Sequence, residues 1–317
     1  MGENDLIYPL VSLCVPVYNA GAFIVQTLTC LCMQDYPNIE IIVVNDGSTD
    51  DTAGLIKTVS DSRINLIHTD NGGAARARNI GFDHSKGRYI IYFDADDYVF
   101  PDYITQQYHK IKDQDDIVVM ACWGRFYNNN LAAFGEEPIP PGPMSFTEWI
   151  KFYWYNANPM TNPGRVMIPR QLLGEAGRWN ERLSLNDDFE FFTRVFLSVR
   201  KIVFNSDAKF YYRSGVAGLS ASNSHEAHVS FYNSIALSVD RVVAAYDNDP
   251  LLLRSCANMW QLFVYSTYPA NPELIKKAEK QIEILGGADL PFPSGKITSL
   301  LTIFFGWKLL KKIRSYL

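Results

Sequence analysis

The sequence predicts an α/β fold built on a doubly wound, mostly parallel β-sheet, with a mixed second half and a helical C-terminal region. Short apolar runs alternate with segments of helical periodicity over about the first 120 residues. These runs are nearly continuously apolar, as in strands that are covered on both faces. The links between the segments are short, which favours crossover connections between parallel strands.

The first half of the chain predicts four strands that alternate with three helices. The first strand, Leu10–Val17, is followed by a helix at Phe23–Met33. Ser48 and Asp51 form a capping-box pattern, which predicts that they open the second helix. The other predicted elements of this half are the strands Glu40–Val44, Ile64–His68 and Tyr89–Phe93 and the helix Ala74–Ser85.

The second half of the chain has a less regular pattern. Its Asn-, Gly- and Pro-rich stretch at Asn128–Pro143 indicates a mobile loop. The predicted elements are strands at Asp116–Trp123, Arg165–Ile168, Lys201–Phe204 and Lys209–Arg213, helices at Phe146–Tyr155 and Asp188–Val199, and a helical region from His225 to about Leu285.

Composition and charge exclude several classes of protein. The 317-residue chain has 29 Lys and Arg against 34 Asp and Glu, and its net charge of −5 argues against a nucleic-acid binder. Its 47% apolar content excludes a disordered or fibrous chain. The five cysteines include Cys14, Cys30 and Cys32 in apolar segments, which favours buried thiols in a reducing compartment over a metal site. Because we find no leader peptide and no run of ~18 apolar residues, we expect a cytoplasmic protein.

Polar groups follow all four predicted strands of the first half. In an open parallel sheet, the carboxyl ends of the strands meet at one edge, where ligands bind. One such strand end would mean little, because Asn, Asp and Gly are common in turns. The four strand ends read, in order, PVYN (16–19), NDGS (45–48), DNGG (70–73) and DADD (94–97). Together they predict one ligand-binding crevice.

The acids Asp94, Asp96 and Asp97 are the sharpest feature of this crevice. Three carboxylates within four residues repel one another unless a cation lies between them. Hard oxygen ligands, completed by water and substrate phosphates, suit Mn²⁺ or Mg²⁺. The alternative is a solvated acidic turn that caps the helix after Pro101. The neighbouring polar strand ends favour the metal site.

A nucleoside is the second ligand that the crevice predicts. The chain has neither of the common glycine-rich phosphate loops, G-x-x-x-x-G-K-[ST] or G-x-G-x-x-G after the first strand. Tyr18 offers a ring face for stacking, and Asp46 offers a carboxylate that can accept from a base N–H. Arg78 offers a guanidinium group for a base or a diphosphate. The alternatives, an ordinary strand-end aromatic for Tyr18 and a solvated helix charge for Arg78, stay open.

Four segments, in their order and spacing, resemble the nucleotide-sugar domain of the family-two inverting glycosyltransferases, which have the Rossmann-like GT-A fold. The segments are PVYN, VVNDGSTD, ARNIG and YFDADD. The resemblance runs from about residue 10 to residue 102 and continues more weakly to about residue 222. We expect Pro16, Tyr18 and Asn19 of the first segment to contact the donor.

The resemblance implies roles for four charged residues of this chain. Asp46 would contact the base, Arg78 would lie near the nucleotide, and Asp94 would lie near the ribose. Asp96 would be the metal-ligating member of the DxD motif.

Three positions depart from the family pattern. Gly21 stands where the family usually has an acid, and Asn45 replaces the first acid of its DDGS segment. Both departures bear on nucleotide preference. Gly215 replaces a histidine that often follows the YYR signature, which bears on the metal shell. His225 and His228 lie farther along, and we expect them to be surface histidines rather than replacements.

An inverting transfer needs a general base that takes the proton from the acceptor hydroxyl. The resemblance places this base in an acidic pair at the start of a helix, where Asp187 and Asp188 stand in this chain. Asp188 matches the catalytic Asp of the family, and Asp187 replaces its Glu. A helix N-terminus stabilises an ionised carboxylate, which suits a base. The same position also suits an Asp that only caps the helix.

The segment 296–317 is predicted to be a basic amphipathic tail. It combines apolar and aromatic residues with several later Lys and Arg and contains no acid. Such a segment can lie at the surface of an anionic membrane. Acceptors of the family are often lipid-linked, which favours contact with the inner face of the cytoplasmic membrane. The alternative is a helix that docks on its own protein or on a partner subunit.

These observations predict a metal-dependent hexosyl- or N-acetylhexosaminyltransferase that uses a nucleotide-diphospho-sugar, with a UDP-sugar favoured. The resemblance implies a saccharide or lipid-linked acceptor in the assembly of a capsule, lipopolysaccharide or exopolysaccharide. The chain would divide into a nucleotide-sugar-binding half (1–123), an acceptor-binding and catalytic-base half (124–224), a helical region (225–295) and the tail (296–317).

Two alternatives from other classes remain. One is a non-catalytic sugar-nucleotide-binding or assembly protein. The other is a sugar-phosphate nucleotidyltransferase, which usually carries a basic, Gly-rich loop after the first strand. The Asn19–Ala22 link has no basic residue, which disfavours this second alternative.

Overall fold

The computed structural model describes residues 8–159, 161–216, 222–293 and 306–314. These residues divide into two compact units. The first unit contains residues 8–146, 161–181 and 191–216, and the second contains 147–159, 182–190, 222–293 and 306–314. This division follows packing, whereas the four predicted parts were defined by function. Their boundaries therefore stay a prediction.

The nine strands found in the described residues all belong to the first unit. They are β1 (Val11–Val17), β2 (Ile39–Asp46), β3 (Ile64–Thr69), β4 (Tyr89–Tyr92), β5 (Tyr98–Val99), β6 (Ile117–Tyr127), β7 (Asn130–Glu137), β8 (Val166–Pro169) and β9 (Lys201–Arg213). They form one sheet in the order β3-β2-β1-β4-β8-β6-β9-β5, and β7 pairs with β6.

The sheet has a parallel part and a mixed part. β1 to β4 pair in parallel with one another, as their buried, apolar sequences predict. In the other part, β8 is antiparallel to both β4 and β6, whereas β6 and β9 are parallel. β7 and β5 each add an antiparallel strand. The predicted α/β fold, with a parallel first half and a mixed second half, is confirmed.

Eleven α-helices are found in the described residues, and the first three connect consecutive strands of the parallel part, as predicted. The helices are α1 (Ile24–Cys32), α2 (Thr52–Thr58), α3 (Ala74–His84), α4 (Tyr103–Ile111), α5 (Phe146–Trp149), α6 (Arg170–Ala176), α7 (Asp187–Leu197), α8 (His225–Tyr246), α9 (Pro250–Thr267), α10 (Pro272–Ile284) and α11 (Trp307–Arg314). A π-helix, Ile150–Trp154, continues α5. None of the described helices is both long enough and apolar enough to cross a membrane.

The prediction of a mobile loop at Asn128–Pro143 is wrong for most of this range, because β6 and β7 form a hairpin there. Asn128 and Asn129 turn the chain with φ angles of 52° and 57°. Asn adopts this left-handed conformation more readily than other residues with a side chain. The Asn-rich composition therefore marks a tight turn, and only residues 138–143 are irregular.

The two strands predicted between Lys201 and Arg213 form one strand, β9, with a bulge. Adjacent residues of β6 pair with Asn205 and Lys209, so the three residues between these two bulge out of the ladder. They include Asp207, whose polar side chain interrupts the apolar pattern. The bulge explains why the sequence reads as two strands.

The predicted capping box of Ser48 and Asp51 is also wrong. Ser48 Oγ instead accepts a hydrogen bond from the backbone N–H of Asn19, at 3.0 Å. Asp50 Oδ1 accepts from the backbone N–H of Thr52, at 3.1 Å. Asp50 therefore accepts the first backbone N–H of α2. Ser48 instead connects the ends of β1 and β2.

The C-terminal helix α11 packs against residues of the second unit. The Trp307 ring stacks on Phe292, with centroids 5.5 Å apart, and meets Tyr265 edge-on at 4.8 Å. The Lys311 ammonium donates to the backbone carbonyl of Tyr265. These contacts support the interpretation of α11 as a docked helix. The rest of the predicted tail at 296–317 lies outside the described residues, and membrane contact stays a prediction.

Substitution of Gly124 tests the close packing of β6 against β7. A Cβ at Gly124 would lie 2.2 Å from the backbone oxygen of Gly135 and 2.7 Å from the Phe134 ring. We expect Gly124→Ala to lower the free energy of unfolding by about 1–3 kcal/mol, measured by urea denaturation. Gly135→Ala is the matched control, because its Cβ would meet only the backbone oxygen of Arg125, at 4.0 Å. Equal stabilities of the two variants would contradict this packing.

Candidate active site

Asp46, the last residue of β2, holds the loop that precedes α3. Its side chain is 2% exposed, and its two carboxylate oxygens accept from the backbone N–H groups of Gly72 (2.9 Å) and Gly73 (2.8 Å). Gly73 has a φ of 90°, a conformation that residues with a Cβ rarely adopt. The carboxylate therefore fixes the backbone at the entry to α3. The contact of Asp46 with a base stays a prediction.

The PVYN segment places one exposed ring beside a fixed turn. Pro16 is half-buried within β1, whereas Tyr18 is 52% exposed just after the strand. The Asn19 side-chain oxygen accepts from the backbone N–H of Thr49 at 2.8 Å. Asn19 therefore connects the chain after β1 to the chain after β2. Donor contacts of Pro16, Tyr18 and Asn19 stay predictions.

Arg78 and Asp94 come together although they belong to different elements. Arg78 lies on α3, whose Ala77 packs on β2 in the core, and Asp94 follows β4. The Arg78 guanidinium is 2.9 Å from Asp94 Oδ1. It also lies 4.3 Å from the centroid of the Trp179 ring. Because Arg78 is only 6% exposed, its interpretation as a solvated helix charge is wrong.

Trp179 is a site residue that the sequence analysis missed. Its ring stacks face to face on Phe191, with centroids 4.0 Å apart, and meets Tyr92 edge-on at 5.2 Å. The Asn79 side chain accepts from the backbone N–H of Trp179 (2.9 Å) and donates to its carbonyl (3.0 Å). Trp179 is thus a fixed platform under Arg78. Because 100 residues separate Asn79 from Trp179, no local pattern could reveal this contact.

Residues 94–97, here called the acid loop, carry carboxylates in a partly buried setting. Asp96 is half-buried, and burial, followed by the charge of Asp94, raises its pKa to about 6. Asp97 is fully buried, and burial also raises its pKa well above the usual range. The interpretation of these acids as a solvated turn is therefore wrong for Asp97. Negative charge on this loop is disfavoured until a positive group compensates it.

The donor set of the acid loop fits a divalent cation. Within the part of the chain that the structure describes, no three His, Cys, Asp or Glu side chains form a complete ligand set. Mg²⁺ and Mn²⁺ do not require one, since one or two carboxylates, water and substrate phosphates suffice. Asp96, with Asp94 beside it, offers hard oxygen ligands. A cation there would compensate the negative charge that burial, and then the charge of Asp94, disfavour on Asp96.

Asp188 lies in the first turn of α7, in the second unit. Its backbone N–H donates to Asp187 Oδ1 at 3.0 Å, so Asp187 supplies this capping contact. The residue before the helix, Asn186, is fastened to α8 because Ser234 Oγ donates to its backbone carbonyl at 2.5 Å. The start of α7 is therefore held in place from α8. The role of Asp188 as general base stays a prediction.

Comparison with known proteins decides the family. Residues 12–177, slightly more than half of the chain, match the family described as "Glycosyl transferase family 2". The chain belongs to glycosyl transferase family 2. The match includes Arg78 and the acid loop, and it confirms the resemblance carried by the four sequence segments.

Two bacterial relatives of this family 2 glycosyltransferase extend the match. "Glycosyltransferase GlyG" of Streptococcus pneumoniae is 32% identical over 217 residues, which cover 64% of this chain and 70% of GlyG. "Uncharacterized glycosyltransferase EpsJ" of Bacillus subtilis is 27% identical over 304 residues, which cover 86% of this chain and 83% of EpsJ. The similarity to EpsJ therefore includes the region beyond residue 177.

Two solved structures share the fold of this family 2 glycosyltransferase. Residues 1–349 of TarS from S. aureus, solved with UDP-GlcNAc, align with a TM-score of 0.71 at 19% identity over 87% of this chain and 81% of that one. The mannosyltransferase PcManGT from Pyrobaculum calidifontis, solved with GDP-Man and Mn²⁺, aligns with a TM-score of 0.55 at 19% identity. That alignment covers 98% of this chain and 84% of PcManGT. The expected GT-A fold is confirmed.

In this family 2 glycosyltransferase, no histidine occupies the position after the YYR signature where the family often has one. That position is Gly215, with a φ of 81°. His228 is buried in the second unit and its Nδ1 lies 2.6 Å from the Asn271 amide nitrogen. The side-chain oxygen of Asn271 lies 2.5 Å from His225 Nδ1. The expectation of a surface residue is wrong for His228, and burial lowers its pKa.

Asp46→Asn should loosen the loop before α3. An amide nitrogen would face one of the two backbone N–H groups that the carboxylate now accepts, leaving that donor unpaired. We expect a loss of about 1–3 kcal/mol in the free energy of unfolding, measured by urea denaturation. Asp70→Asn, in the same loop but exposed, is the control and should leave stability unchanged. If Asp46→Asn is as stable as the wild type, the carboxylate does not hold the loop.

Proposed function

We propose that this family 2 glycosyltransferase is an inverting, metal-dependent enzyme that transfers a hexosyl or N-acetylhexosaminyl group from a UDP-sugar. The acceptor is a saccharide or a lipid-linked saccharide in cell-surface polysaccharide assembly. The observation that carries this proposal is the buried Arg78 paired with Asp94 of the acid loop, in a chain of this family. The UDP-GlcNAc complex of TarS supports the choice of donor, and the two bacterial relatives support sugar transfer.

On the donor side, this chain binds and orients the nucleotide. Asp46 accepts from the base, the Tyr18 ring stacks on it, and Asp94 lies near the ribose. Arg78 contributes positive charge near the diphosphate and is kept in orientation by the Trp179 ring. Asp96 would hold the Mn²⁺ or Mg²⁺ ion. When bound, that ion neutralises charge on the leaving diphosphate.

On the acceptor side, Asp188 takes the proton from one acceptor hydroxyl. That oxygen forms a bond to the anomeric carbon on the face opposite the diphosphate, and the bond from this carbon to the diphosphate oxygen breaks. The electron pair leaves with the nucleoside diphosphate, so a single displacement inverts the anomeric configuration. The N-terminus of α7 stabilises the carboxylate form of Asp188, which is the form that accepts a proton.

A panel of nucleotide sugars tests the proposed function directly. Each donor is added with Mn²⁺ or Mg²⁺, and the midpoint of thermal unfolding is measured, because a bound donor stabilises the native state. We expect one UDP-hexose or UDP-N-acetylhexosamine to raise the midpoint, and NMR of the product to show inversion. Binding without any transfer would favour the non-catalytic alternative. Consumption of a nucleoside triphosphate with a sugar phosphate would favour the nucleotidyltransferase.

We also propose that the enzyme works at the inner face of the cytoplasmic membrane when its acceptor is lipid-linked. α11 keeps Lys308 and Lys312 exposed while Trp307 is packed on the protein. Exposed lysines attract anionic head groups without insertion of the helix. Sedimentation with anionic vesicles, compared with neutral vesicles, measures this contact, and equal recovery in both pellets would contradict it.

A further inference from the structure

Arg213, the last residue of β9, is a buried arginine close to the acid loop. Arg213 is 3% exposed, and its guanidinium lies 4.7 Å from the centroid of the Phe23 ring and 4.6 Å from that of the Phe126 ring. Burial of a guanidinium costs several kcal/mol unless its N–H groups are paired. A buried arginine at this place therefore needs partners that determine where it points.

Two of these partners belong to consecutive residues of the acid loop. Arg213 Nε donates to the backbone carbonyl of Asp96 at 2.5 Å. The backbone N–H of Arg213 donates to Asp97 Oδ1 at 2.9 Å. Arg213 therefore fixes both the main chain at Asp96 and the side chain of Asp97.

The other guanidinium nitrogens connect Arg213 to two further elements. Nη2 donates to Gln26 Oε1 of α1 at 2.7 Å, and Nη1 donates to Asn129 Oδ1 in the turn between β6 and β7. The planar group thus has a fixed position and cannot follow the acid loop if the loop moves. Its contact with the loop is rigid because α1 and the turn between β6 and β7 both hold the guanidinium.

The kind of contact indicates a purpose beyond stability. Arg213 holds the carbonyl of Asp96 rather than its carboxylate, so it fixes the residue without consuming the oxygens that a cation would need. Replacement of a residue that orients a metal ligand without binding the metal commonly lowers metal affinity by about 10- to 100-fold.

We propose that Arg213 is a positioning residue that presents the Asp96 carboxylate to the divalent cation. This inference rests on the metal dependence in the proposed function. Arg213 acts through the main chain of Asp96 and the side chain of Asp97.

Arg213→Lys tests this role because it keeps the charge and removes the planar set of donors. Binding of Mn²⁺ in the presence of UDP is measured without turnover, from the electron paramagnetic resonance signal of free Mn²⁺. We expect the Mn²⁺ affinity to fall about 10- to 100-fold. The KM for Mn²⁺ should rise in parallel, with kcat at saturating Mn²⁺ kept within about threefold of the wild type.

Arg125→Lys is the matched control. Arg125 lies on the neighbouring strand β6 and also contacts two rings, Trp123 at 5.4 Å and Tyr212 at 5.3 Å. Its guanidinium donates to Ser214 Oγ at 3.0 Å and not to the acid loop. We expect Mn²⁺ affinity equal to the wild type. An equal loss in both variants, or unchanged affinity in Arg213→Lys, would overturn the inference.

Two further results separate this inference from the proposed function. Wild-type protein that binds Mn²⁺ with UDP but transfers no sugar would refute the function, and the Arg213 comparison would still decide the inference. Wild-type protein that transfers sugar after chelation and binds no Mn²⁺ would refute the inference and the metal dependence, whereas the proposed sugar transfer would stand. If Arg213→Lys does not fold, Gln26→Leu removes one acceptor of the guanidinium. A smaller loss of Mn²⁺ affinity in that variant supports the role, and no loss refutes it.

Discussion

Asp188→Asn should reduce the rate of sugar transfer by about 100- to 10,000-fold, the range that a positioned general base contributes. The amide has the shape of the carboxylate but cannot take the proton from the acceptor hydroxyl. Binding of the donor should stay at the wild-type level, because the nucleotide residues lie in the first unit and Asp188 lies in the second. Initial rates at saturating donor and acceptor, together with donor affinity by calorimetry, measure the two effects separately.

Asp187→Asn provides the control for that result. Asp187 is the neighbouring acid of the same helical turn and accepts the backbone N–H of Asp188. The amide keeps an oxygen that can accept this N–H, so we expect little change in the stability of the helix start and a much smaller loss of activity than in Asp188→Asn. Near-normal turnover by Asp188→Asn would eliminate it as the base, and a larger loss in Asp187→Asn would reassign the role.

Asp96→Asn should abolish transfer and also weaken metal-dependent nucleotide binding. Loss of a charged ligand removes both the attraction for the cation and the site where it meets the diphosphate. We expect a loss of at least about 100-fold in kcat/KM and a UDP affinity that no longer responds to Mn²⁺. Transfer assays and UDP titrations with and without Mn²⁺ measure these effects.

Asp102→Asn is the control for the acid loop, because Asp102 follows the loop closely but is exposed. It should bind UDP and Mn²⁺ like the wild type. Chelation of the metal from the wild-type protein should reproduce the Asp96→Asn result. If the UDP affinity of Asp96→Asn still responds to Mn²⁺, residues other than Asp96 ligate the metal. Asp188→Asn and Asp96→Asn thus differ in one observable, since only the change at Asp96 should affect nucleotide binding.

The sequence predicted the parallel half of the sheet well because each element there is specified locally. β1 to β4 are short apolar runs, and the intervening helices show helical spacing, so neighbouring residues contain the information. The polar strand ends follow from the same pattern. Arg78 and Asp94 could be placed at one edge because parallel strands bring their carboxyl ends together.

The rest of the fold and site depends on contacts between distant segments. The position of β8 between β4 and β6 leaves no periodic signal, because antiparallel and parallel neighbours look alike in a buried strand. Trp179 under Arg78 and Arg213 behind Asp96 are contacts over about 100 residues or more. The hairpin turn at Asn128 and Asn129 was missed for another reason, since its residues are equally common in irregular loops.

The docking of Trp307 has a practical consequence for work with shortened forms of the chain. A protein ending before residue 306 would leave the rings of Tyr265, Tyr268 and Phe292 without the indole that covers them. Freshly uncovered aromatic surface promotes self-association, so such a form would tend to aggregate during purification. A soluble version should therefore be sought by changing exposed apolar residues such as Ile284, with the C-terminal helix retained.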